Sequence, residues 1–351
     1  HVPAARELAK KDRLRFGTID TWLVYSLTDG ASYVTDVSNA SRTMLFDIRK
    51  LCWDDTMLKE LGIPRSALPR VVESGELVGM CLDSVLGEEL PIAGMAGDQH
   101  AALFGQCCFG KGMAKNTYGT GCFVLMNTGK APVKSQNGLL TTIAWKIGGE
   151  VTYALEGSAF NAGSAIQWLR DELEIIKTPQ EADMLAETVE NTGGVSFVPA
   201  FTGLGAPYWD MYARGALLGV TRGTKRAHLC RAVLESIALE SFDLVKTMEK
   251  ESGICISELR VDGGASRSRF LMQYQADILN TRVCRPQCLE TTALGSAMMA
   301  GLTVGVWDNL EELSSIWREN TSFTPNYDDS SREQDISRWH KAVNRSMEWA
   351  K

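Results

Sequence analysis

The sequence predicts an α/β protein, and three observations support that prediction. Short apolar segments that suit strands alternate with amphipathic segments that suit helices, most regularly in the second half of the chain. Several of these segments meet at glycine-rich turns, as in residues 114–127, AKNTYGTGCFVLMN. At 351 residues the chain exceeds the usual size of one hydrophobic core and suits two domains.

The first half of the chain predicts short helices separated by turns. Residues 21–28 (TWLVYSLT) have apolar residues at helical spacing, and residues 53–64 (WDDTMLKELGIP) predict a helix that glycine and proline end. Residues 90–106 (LPIAGMAGDQHAALFGQ) predict a buried strand, a glycine-rich turn and a helix of small residues. We expect a domain boundary just after this helix, near residues 106–112.

The second half alternates strands and helices more regularly. A long helix is expected at residues 227–253, because its apolar residues recur mostly four apart and a glycine lies at its end. The other expected elements are strands on both sides of Gly119-Thr120-Gly121, a strand at 139–145, helices at 158–173 and 291–305, and a strand, turn and helix within 258–279.

Composition excludes several classes of function. The net charge is −7, whereas a nucleic-acid-binding domain usually carries a basic stripe. No apolar run reaches the roughly 18 residues of a membrane-spanning helix, so we expect neither a nucleic acid nor a membrane as partner. The nine cysteines include no pair of Cys-x-x-Cys motifs, and the four histidines include no His-Glu-x-x-His. We therefore expect free thiols in a cytoplasmic protein and no metal site.

The turn Gly119-Thr120-Gly121 is unusual for a hairpin. Two-residue hairpin turns prefer Asn-Gly, Asp-Gly or Gly-Gly, but here a β-branched threonine lies between two glycines. Backbone N–H groups without flanking side chains can form a concavity that binds an anion, and the Thr120 hydroxyl adds a donor. The turn therefore suits a phosphate, with an ordinary glycine-rich bend as the alternative.

A second glycine-rich turn follows the strand at residues 261–262. Gly263 and Gly264 precede a segment that predicts a helix, so a nucleotide could lie against bare backbone at the N-terminus of that helix. The segment lacks the G-x-G-x-x-G fingerprint, which argues against a dinucleotide-binding dehydrogenase. A plain strand-to-helix turn is the alternative.

Asp98 is a candidate general base. It lies between a flexible turn and an apolar helix, where its charge would be only partly solvated. A carboxylate in that setting can accept a proton from a substrate hydroxyl as the oxygen attacks. Capping of the following helix is the alternative role for this aspartate.

The order of these motifs along the chain resembles the FGGY family of carbohydrate kinases. The resemblance covers roughly residues 14–350. Within the family, NTYGTGCF and SNASRTMLFDI favour the members that phosphorylate glycerol. The motifs are GDQ (97–99), NTYGTGCF (116–123), AGSAIQWLRD (162–171), TGLGAPYWD (202–210), VDGGASRSRFLMQ (261–273) and SNASRTMLFDI (38–48).

The resemblance implies an actin/hexokinase-like ATPase fold with ribonuclease H-like domains and ATP in the cleft between them. Residues 1–106 would be part of the N-terminal FGGY domain. Residues 107–351 would be a complete C-terminal FGGY domain that carries the nucleotide-binding face. The implied reaction converts glycerol and MgATP to sn-glycerol 3-phosphate and ADP. The resemblance further implies a homo-oligomer for the full-length protein.

The resemblance also assigns roles to individual residues. Asp98 would be the general base, Gln99 would bind another glycerol hydroxyl, and Phe123 would pack against the glycerol carbons. At position 268 the family often has asparagine where this chain has serine. The implied nucleotide-binding residues are Gly119, Thr120, Gly121, Gly163, Gln167, Gly263, Gly264 and Ser268.

Two features depart from the family pattern. The sequence contains no D-x-G-T-[TS] phosphate hairpin, and roughly the first third of a family member is not present in it. We therefore expect the chain alone to be poorly active. Residues 82–95 also lack the Gly-Gly-Thr-Arg of a fructose-bisphosphate loop, so that effector is not expected. Two alternatives to a glycerol-phosphorylating enzyme stay open, namely a kinase for another sugar or polyol such as xylulose, and a non-catalytic nucleotide-binding fragment.

Overall fold

The computed structural model describes residues 2–351 and has the α/β organisation that the sequence predicts. Its strands are β1 Val34–Asp36, β2 Phe46–Asp47, β3 Cys52–Trp53, β4 Arg70–Val72, β5 Gly79–Cys81, β6 Leu90–Ile92, β7 Ala114–Tyr118, β8 Cys122–Gly129, β9 Leu140–Ile147, β10 Glu150–Ala159, β11 Ser196–Val198, β12 Ala216–Leu218, β13 Glu258–Asp262, β14 Arg282–Pro286 and β15 Glu319–Phe323. Its α-helices are α1 Pro3–Lys10, α2 Ile19–Leu27, α3 Val37–Ala40, α4 Asp55–Leu61, α5 Asp83–Leu86, α6 Asp98–Gly105, α7 Gly163–Asp171, α8 Pro179–Glu187, α9 Arg226–Ser252, α10 Arg269–Leu279, α11 Thr291–Thr303, α12 Leu310–Ile316 and α13 Asp329–Ser346. Short 3-10 helices occupy Arg65–Ala67 and Gly264–Arg267.

A seven-stranded sheet organises the larger part of the fold. Its strand order is β15–β14–β13–β7–β8–β10–β9. Strand β7 pairs antiparallel with β8 and parallel with β13, and Thr117 of β7 is the register partner of Asp262 of β13. The turns that follow β7 and β13 therefore lie side by side, because the carboxyl ends of parallel strands meet at the same end of a sheet.

The long helix α9 packs in the main hydrophobic core beside this sheet. It is buried through most of its length, and Leu234, Ile237 and Leu244 are inaccessible to solvent. The helix ends where the sequence predicts, because Gly253 adopts the left-handed conformation with φ of +67°. Glycine is favoured at this position since it lacks the Cβ that makes positive φ costly.

Helices α6 and α11 approach so closely that their contact excludes side chains. A Cβ at Gly295 would lie 1.8 Å from the carbonyl oxygen of Ala101, and a Cβ at Gly105 would lie 2.1 Å from that of Thr291. The small-residue helices predicted in both segments are thus confirmed. In the first turn of α11, the Thr292 hydroxyl donates to the backbone oxygen of Asp98, the first residue of α6, at 3.4 Å.

Two expected elements differ from the prediction. The helix expected at residues 158–173 begins only at Gly163, because Ser158 and Ala159 complete β10 and pair with β8. The strand at residue 90, expected to be buried, is mostly exposed because β6 pairs only with β5 in a separate two-stranded sheet. The division into residues 1–106 and 107–351 stays a prediction, and residue 1 lies outside the described residues.

The cysteines are free thiols, as expected. Burial raises the pKa of the Cys108 thiol and of the Cys122 thiol to about 12, so both stay protonated and are poor nucleophiles at neutral pH. Within residues 2–351, no helix is both long enough and apolar enough to cross a membrane.

Candidate active site

A cavity of about 320 Å³ lies where the turns after β7 and β13 meet. Its lining comes from segments that are far apart in the sequence, which the parallel pairing of β7 with β13 brings together. Six of the predicted nucleotide-binding residues line it, namely Gly119, Thr120, Gly163, Gln167, Gly264 and Ser268.

The start of α7 stabilises the glycine-threonine turn. The N–H of Gly119 donates to the carbonyl of Gly121 at 2.9 Å and closes the turn. The N–H of Ala162 then donates to Thr120 O at 2.7 Å, and that of Gly163 donates to Gly119 O at 2.9 Å. These N–H groups are therefore already paired within the turn, and Thr120 lies exposed at its tip.

Three glycines of the two turns differ in their surroundings. A Cβ at Gly121 would lie 2.3 Å from Ala159 O, and a Cβ at Gly263 would lie 2.6 Å from Tyr118 O. These two glycines are required by close backbone packing, and neither lines the cavity. Gly264 differs, since a Cβ there would meet nothing within 4 Å and its backbone faces the cavity.

Ser268 and Asp183 form a hydrogen-bonded pair in the wall of this cavity. The Ser268 hydroxyl donates to Asp183 Oδ1 at 2.7 Å and accepts from Leu271 N–H at 3.0 Å, which caps α10. Burial raises the pKa of the Asp183 carboxyl, and the hydrogen bond from Ser268 opposes that shift. Sequence reasoning missed Asp183, because it lies on α8 in no motif.

A second cavity, of about 500 Å³, holds the residues predicted to act on the acceptor. Asp98, Gln99 and Phe123 all line it. Asp98 is the first residue of α6 and is exposed, so it is more solvated than expected. The N-cap position belongs to Gly97 and has no side-chain cap, so the alternative role of Asp98 as helix cap is not observed.

The two cavities adjoin each other across one turn. Thr120 lines the first and Phe123 lines the second, and three residues of extended chain span at most about 11 Å. A group held at the tip of the turn is therefore within reach of the Asp98 cavity. This spacing suits a nucleotide whose phosphates extend from one cavity towards an acceptor in the other.

A buried lysine that sequence reasoning missed lies beneath the acceptor residues. Lys115 is inaccessible to solvent, and its Nζ donates to Gln99 Oε1 and, at 2.8 Å, to Thr117 Oγ1. Gln99 Nε2 donates in turn to Asp98 Oδ2 at 2.9 Å. Burial lowers the pKa of Lys115, and the carboxylates of Asp262, Glu156 and Asp98 oppose that shift. The contact between Lys115 and Gln99 could not be predicted from the sequence, because it joins strand β7 to helix α6.

Arg42 and Glu156 form an ion pair in the same cavity. Their nitrogen–oxygen distances are 2.9 and 3.1 Å, and the Glu156 side chain is almost fully buried. The neighbouring His100 is buried, with Nε2 3.0 Å from Thr142 Oγ1 and Nδ1 without a partner among the described residues. Burial, together with the positive charges of Arg42 and Lys115, lowers the pKa of His100 to about 3, so this imidazole is neutral at pH 7.

Comparison of the sequence with protein families gives two matches. Residues 1–105 match the N-terminal domain of the FGGY family of carbohydrate kinases, and residues 114–304 match its C-terminal domain. Among curated proteins, glycerol kinase 2 of Thermotoga maritima is 57% identical over 351 residues, which are all of this chain and 71% of that protein. The glycerol kinase of Alkaliphilus oremlandii is 56% identical over 350 residues, 99% of this chain and 69% of that protein.

Solved structures show the same relationship. The chain matches a crystal structure of Plasmodium falciparum glycerol kinase with ADP at a TM-score of 0.92 and 40% identity, over 98% of this chain and 69% of that one. It also shares its fold with a ligand-bound xylulose kinase from Lactobacillus acidophilus, at a TM-score of 0.81 and 22% identity over 93% of this chain and 66% of that one. These are actin/hexokinase-like ATPase folds, as predicted. The chain belongs to the FGGY family of carbohydrate kinases.

Proposed function

We propose that this chain catalyses the transfer of the γ-phosphoryl group of MgATP to glycerol, which gives sn-glycerol 3-phosphate and ADP. The adjacency of the glycine-lined cavity to the Asp98 cavity is the structural observation that supports this reaction. The names of the relatives support glycerol as the acceptor, and the neighbour with ADP supports the nucleotide.

The nucleotide would occupy the first cavity. The adenosine would lie against the open backbone at Gly264, and Gly163 and Gln167 of α7 line the same cavity. The phosphates would extend past Gly119 to Thr120, whose hydroxyl is exposed at the tip of the turn. Direct contacts of the nucleotide with Gly121 or Gly263 are not required, because backbone packing already explains both glycines.

Glycerol would bind in the second cavity beside Asp98. The carboxylate would accept the proton of the attacking hydroxyl, which typically contributes about 10²–10⁴-fold to the rate. Phe123 would pack against the glycerol carbons, and Gln99 would bind a second hydroxyl, since both residues line this cavity. Phosphoryl transfer needs positioning and charge stabilisation more than covalent chemistry from the protein, which this arrangement can supply.

Magnesium would enter the site with the nucleotide. Residues 2–351 contain no group of three or more His, Cys, Asp or Glu side chains that could hold a metal. That fits Mg²⁺, which usually keeps several waters and binds through substrate phosphates and one or two carboxylates. Asp98 is the exposed carboxylate in the acceptor cavity that could contribute. When bound, the ion neutralises charge on the phosphates.

We place the reaction in the cytoplasm, because nine unpaired thiols suit a reducing compartment. A homo-oligomer is the expected assembly by family resemblance. A role as a xylulose kinase is not favoured, since the similarity to a xylulose kinase is at 22% identity whereas that to glycerol kinases reaches 57%.

Measurement of ADP formation from MgATP with glycerol, with D-xylulose and without an acceptor tests the proposal. We expect ADP formation that depends on glycerol and exceeds that with xylulose. An equal or higher rate with xylulose would contradict glycerol as acceptor. Absence of acceptor-dependent turnover, with ADP binding retained, would contradict the proposed reaction and favour the non-catalytic nucleotide-binding alternative.

A further inference from the structure

Lys115 is a buried cation that the proposed reaction does not use. Its side chain, on strand β7, is inaccessible to solvent although lysine is rarely fully buried without partners. Lys115 and Thr117 project from the same face of β7, since side chains alternate along a strand. That face is directed towards α6, whose second residue is Gln99.

The lysine fixes the orientation of the Gln99 amide. An ammonium group is a donor only, so it can pair with the carbonyl oxygen of Gln99 but not with the amide nitrogen. Contact of Lys115 Nζ with Gln99 therefore selects Oε1 and directs Nε2 to the opposite side. On that side Nε2 donates to Asp98 Oδ2 at 2.9 Å.

The Gln99 amide in turn distinguishes the two oxygens of Asp98. Oδ2 accepts the hydrogen bond from Gln99, and no described side chain donates to Oδ1. Among residues 2–351, Oδ1 is thus the unpaired oxygen of a carboxylate that lines the acceptor cavity. A carboxylate held by one oxygen presents the other in a defined direction, which is what a general base requires.

Burial lowers the pKa of Lys115, and nearby carboxylates oppose that shift. The carboxylates of Asp98, Glu156 and Asp262 all lie near enough to stabilise a positive charge at Nζ. One of these carboxylates, that of Glu156, also forms an ion pair with Arg42. Lys115 makes two defined hydrogen bonds, to Gln99 Oε1 and to Thr117 Oγ1, and these hold its Nζ against the Gln99 amide.

We propose that Lys115 is a positioning residue for the acceptor site, which acts through Gln99 to hold Asp98 in its reactive orientation. The proposal deepens the proposed function and, for its effect on turnover, rests on that function. The competing role is that of a structural counter-ion, which neutralises buried carboxylates without affecting the Gln99 amide.

NMR spectroscopy of the full chain with ¹⁵N-labelled glutamine side chains distinguishes the two roles. The Gln99 amide is assigned by its loss in Gln99→Leu. In the wild type we expect separate, slowly exchanging protons of the Gln99 amide. Lys115→Met keeps the length of the side chain but removes the donor, so hydrogen exchange of the Gln99 amide should be faster by about tenfold or more. Lys111→Met is the matched control, because Lys111 is an exposed lysine on the segment leading into β7.

Unchanged exchange of the Gln99 amide in Lys115→Met would overturn the proposal and leave the counter-ion role. The wild type alone gives a second test, should Lys115→Met not fold. Exchange of its Gln99 amide at the rate of an exposed glutamine would also overturn the proposal. In the glycerol-dependent assay, Lys115→Met should lower kcat and leave the KM for MgATP unchanged. If the wild type has no such turnover, the proposed function fails while the NMR result still decides the role of Lys115.

Discussion

Asp262 and Thr291 join the nucleotide side of the site to its acceptor side. Asp262 is the last residue of β13, and its Oδ2 accepts from the Thr291 hydroxyl at 2.6 Å and from Gln106 Nε2 at 2.8 Å. Thr291 begins α11, which packs against α6, the helix that starts with Asp98. One buried carboxylate thus holds the turn that faces the nucleotide cavity to the helix that presents the candidate base.

The neighbouring glycines Gly263 and Gly264 should respond differently to substitution. Gly263→Ala places a Cβ 2.6 Å from Tyr118 O at a φ of +83°, so we expect it to lower the free energy of unfolding by about 3 kcal/mol or more. Gly264→Val meets open space in the protein but enters the nucleotide cavity, so ADP affinity should fall by about tenfold or more with little change in stability. Chemical denaturation and calorimetric titration with ADP measure the two effects.

Gly223→Val is the control for this pair, because Gly223 is exposed, has an ordinary φ and lies outside the cavity. It should change neither stability nor ADP affinity. Wild-type ADP affinity in Gly264→Val would show that the nucleotide does not lie against this backbone.

Replacement of His100 by glutamine should change how stability depends on pH. His100 is buried and its pKa is about 3, against about 6.5 in an unfolded chain. Between these values the unfolded state binds a proton that the folded state does not, so stability due to this group is present above pH 6.5 and is lost as the pH falls towards 3. From pH 7 to pH 5 the loss from this group is about 2 kcal/mol.

The measurement is urea denaturation of the wild type and of His100→Gln at several pH values from 5 to 7. Glutamine does not titrate, so the difference in unfolding free energy between the two proteins should shift in favour of the variant as the pH falls. Other groups that titrate, such as Glu235, whose pKa burial raises to about 7, are common to both proteins and cancel. A difference that does not vary with pH would mean that His100 is not held neutral.

Asp243 should be a large contributor to the stability of the second half of the chain. Its carboxylate accepts from Tyr208 Oη at 2.7 Å, from Trp339 Nε1 at 2.6 Å and from His340 Nε2 at 2.8 Å. Asp243→Ala leaves these donors without an acceptor, and the expected loss of unfolding free energy is about 3–5 kcal/mol. Thermal and urea denaturation measure it. The control is Asp308→Ala at an exposed aspartate, whose free energy of unfolding should stay within about 0.5 kcal/mol of wild type. An effect as small as this in Asp243→Ala would contradict the stabilising role of Asp243.

The fold was largely predictable because its strongest signals are local. The spacing of apolar residues in α9 and the glycine at its end, Gly253, define that helix without reference to the rest of the chain. The start of α7 was not predictable in this way. Ser158 and Ala159 belong to β10 because β8 pairs with them, and that pairing is a long-range contact that no local pattern in the sequence reports.

The same distinction applies to the site. Glycine turns and Asp98 are recognisable as motifs, and the structure brings most of the predicted residues into two adjoining cavities. The burial of Lys115 and the contact of Asp183 with Ser268 depend on how separate elements pack. The motif correctly indicates that position 121 needs glycine. The reason is that the backbone of Ala159 leaves no room for a Cβ there, not that a ligand must approach.

The most direct test compares kcat of the wild type and of Asp98→Asn for glycerol-dependent ADP formation from MgATP. Asparagine keeps the shape of the side chain but cannot accept the proton, so we predict a fall in kcat of about 10²–10⁴-fold. ADP affinity should be unchanged, because Asp98 does not line the nucleotide cavity. A wild-type kcat in Asp98→Asn would contradict the assignment of Asp98 as the general base.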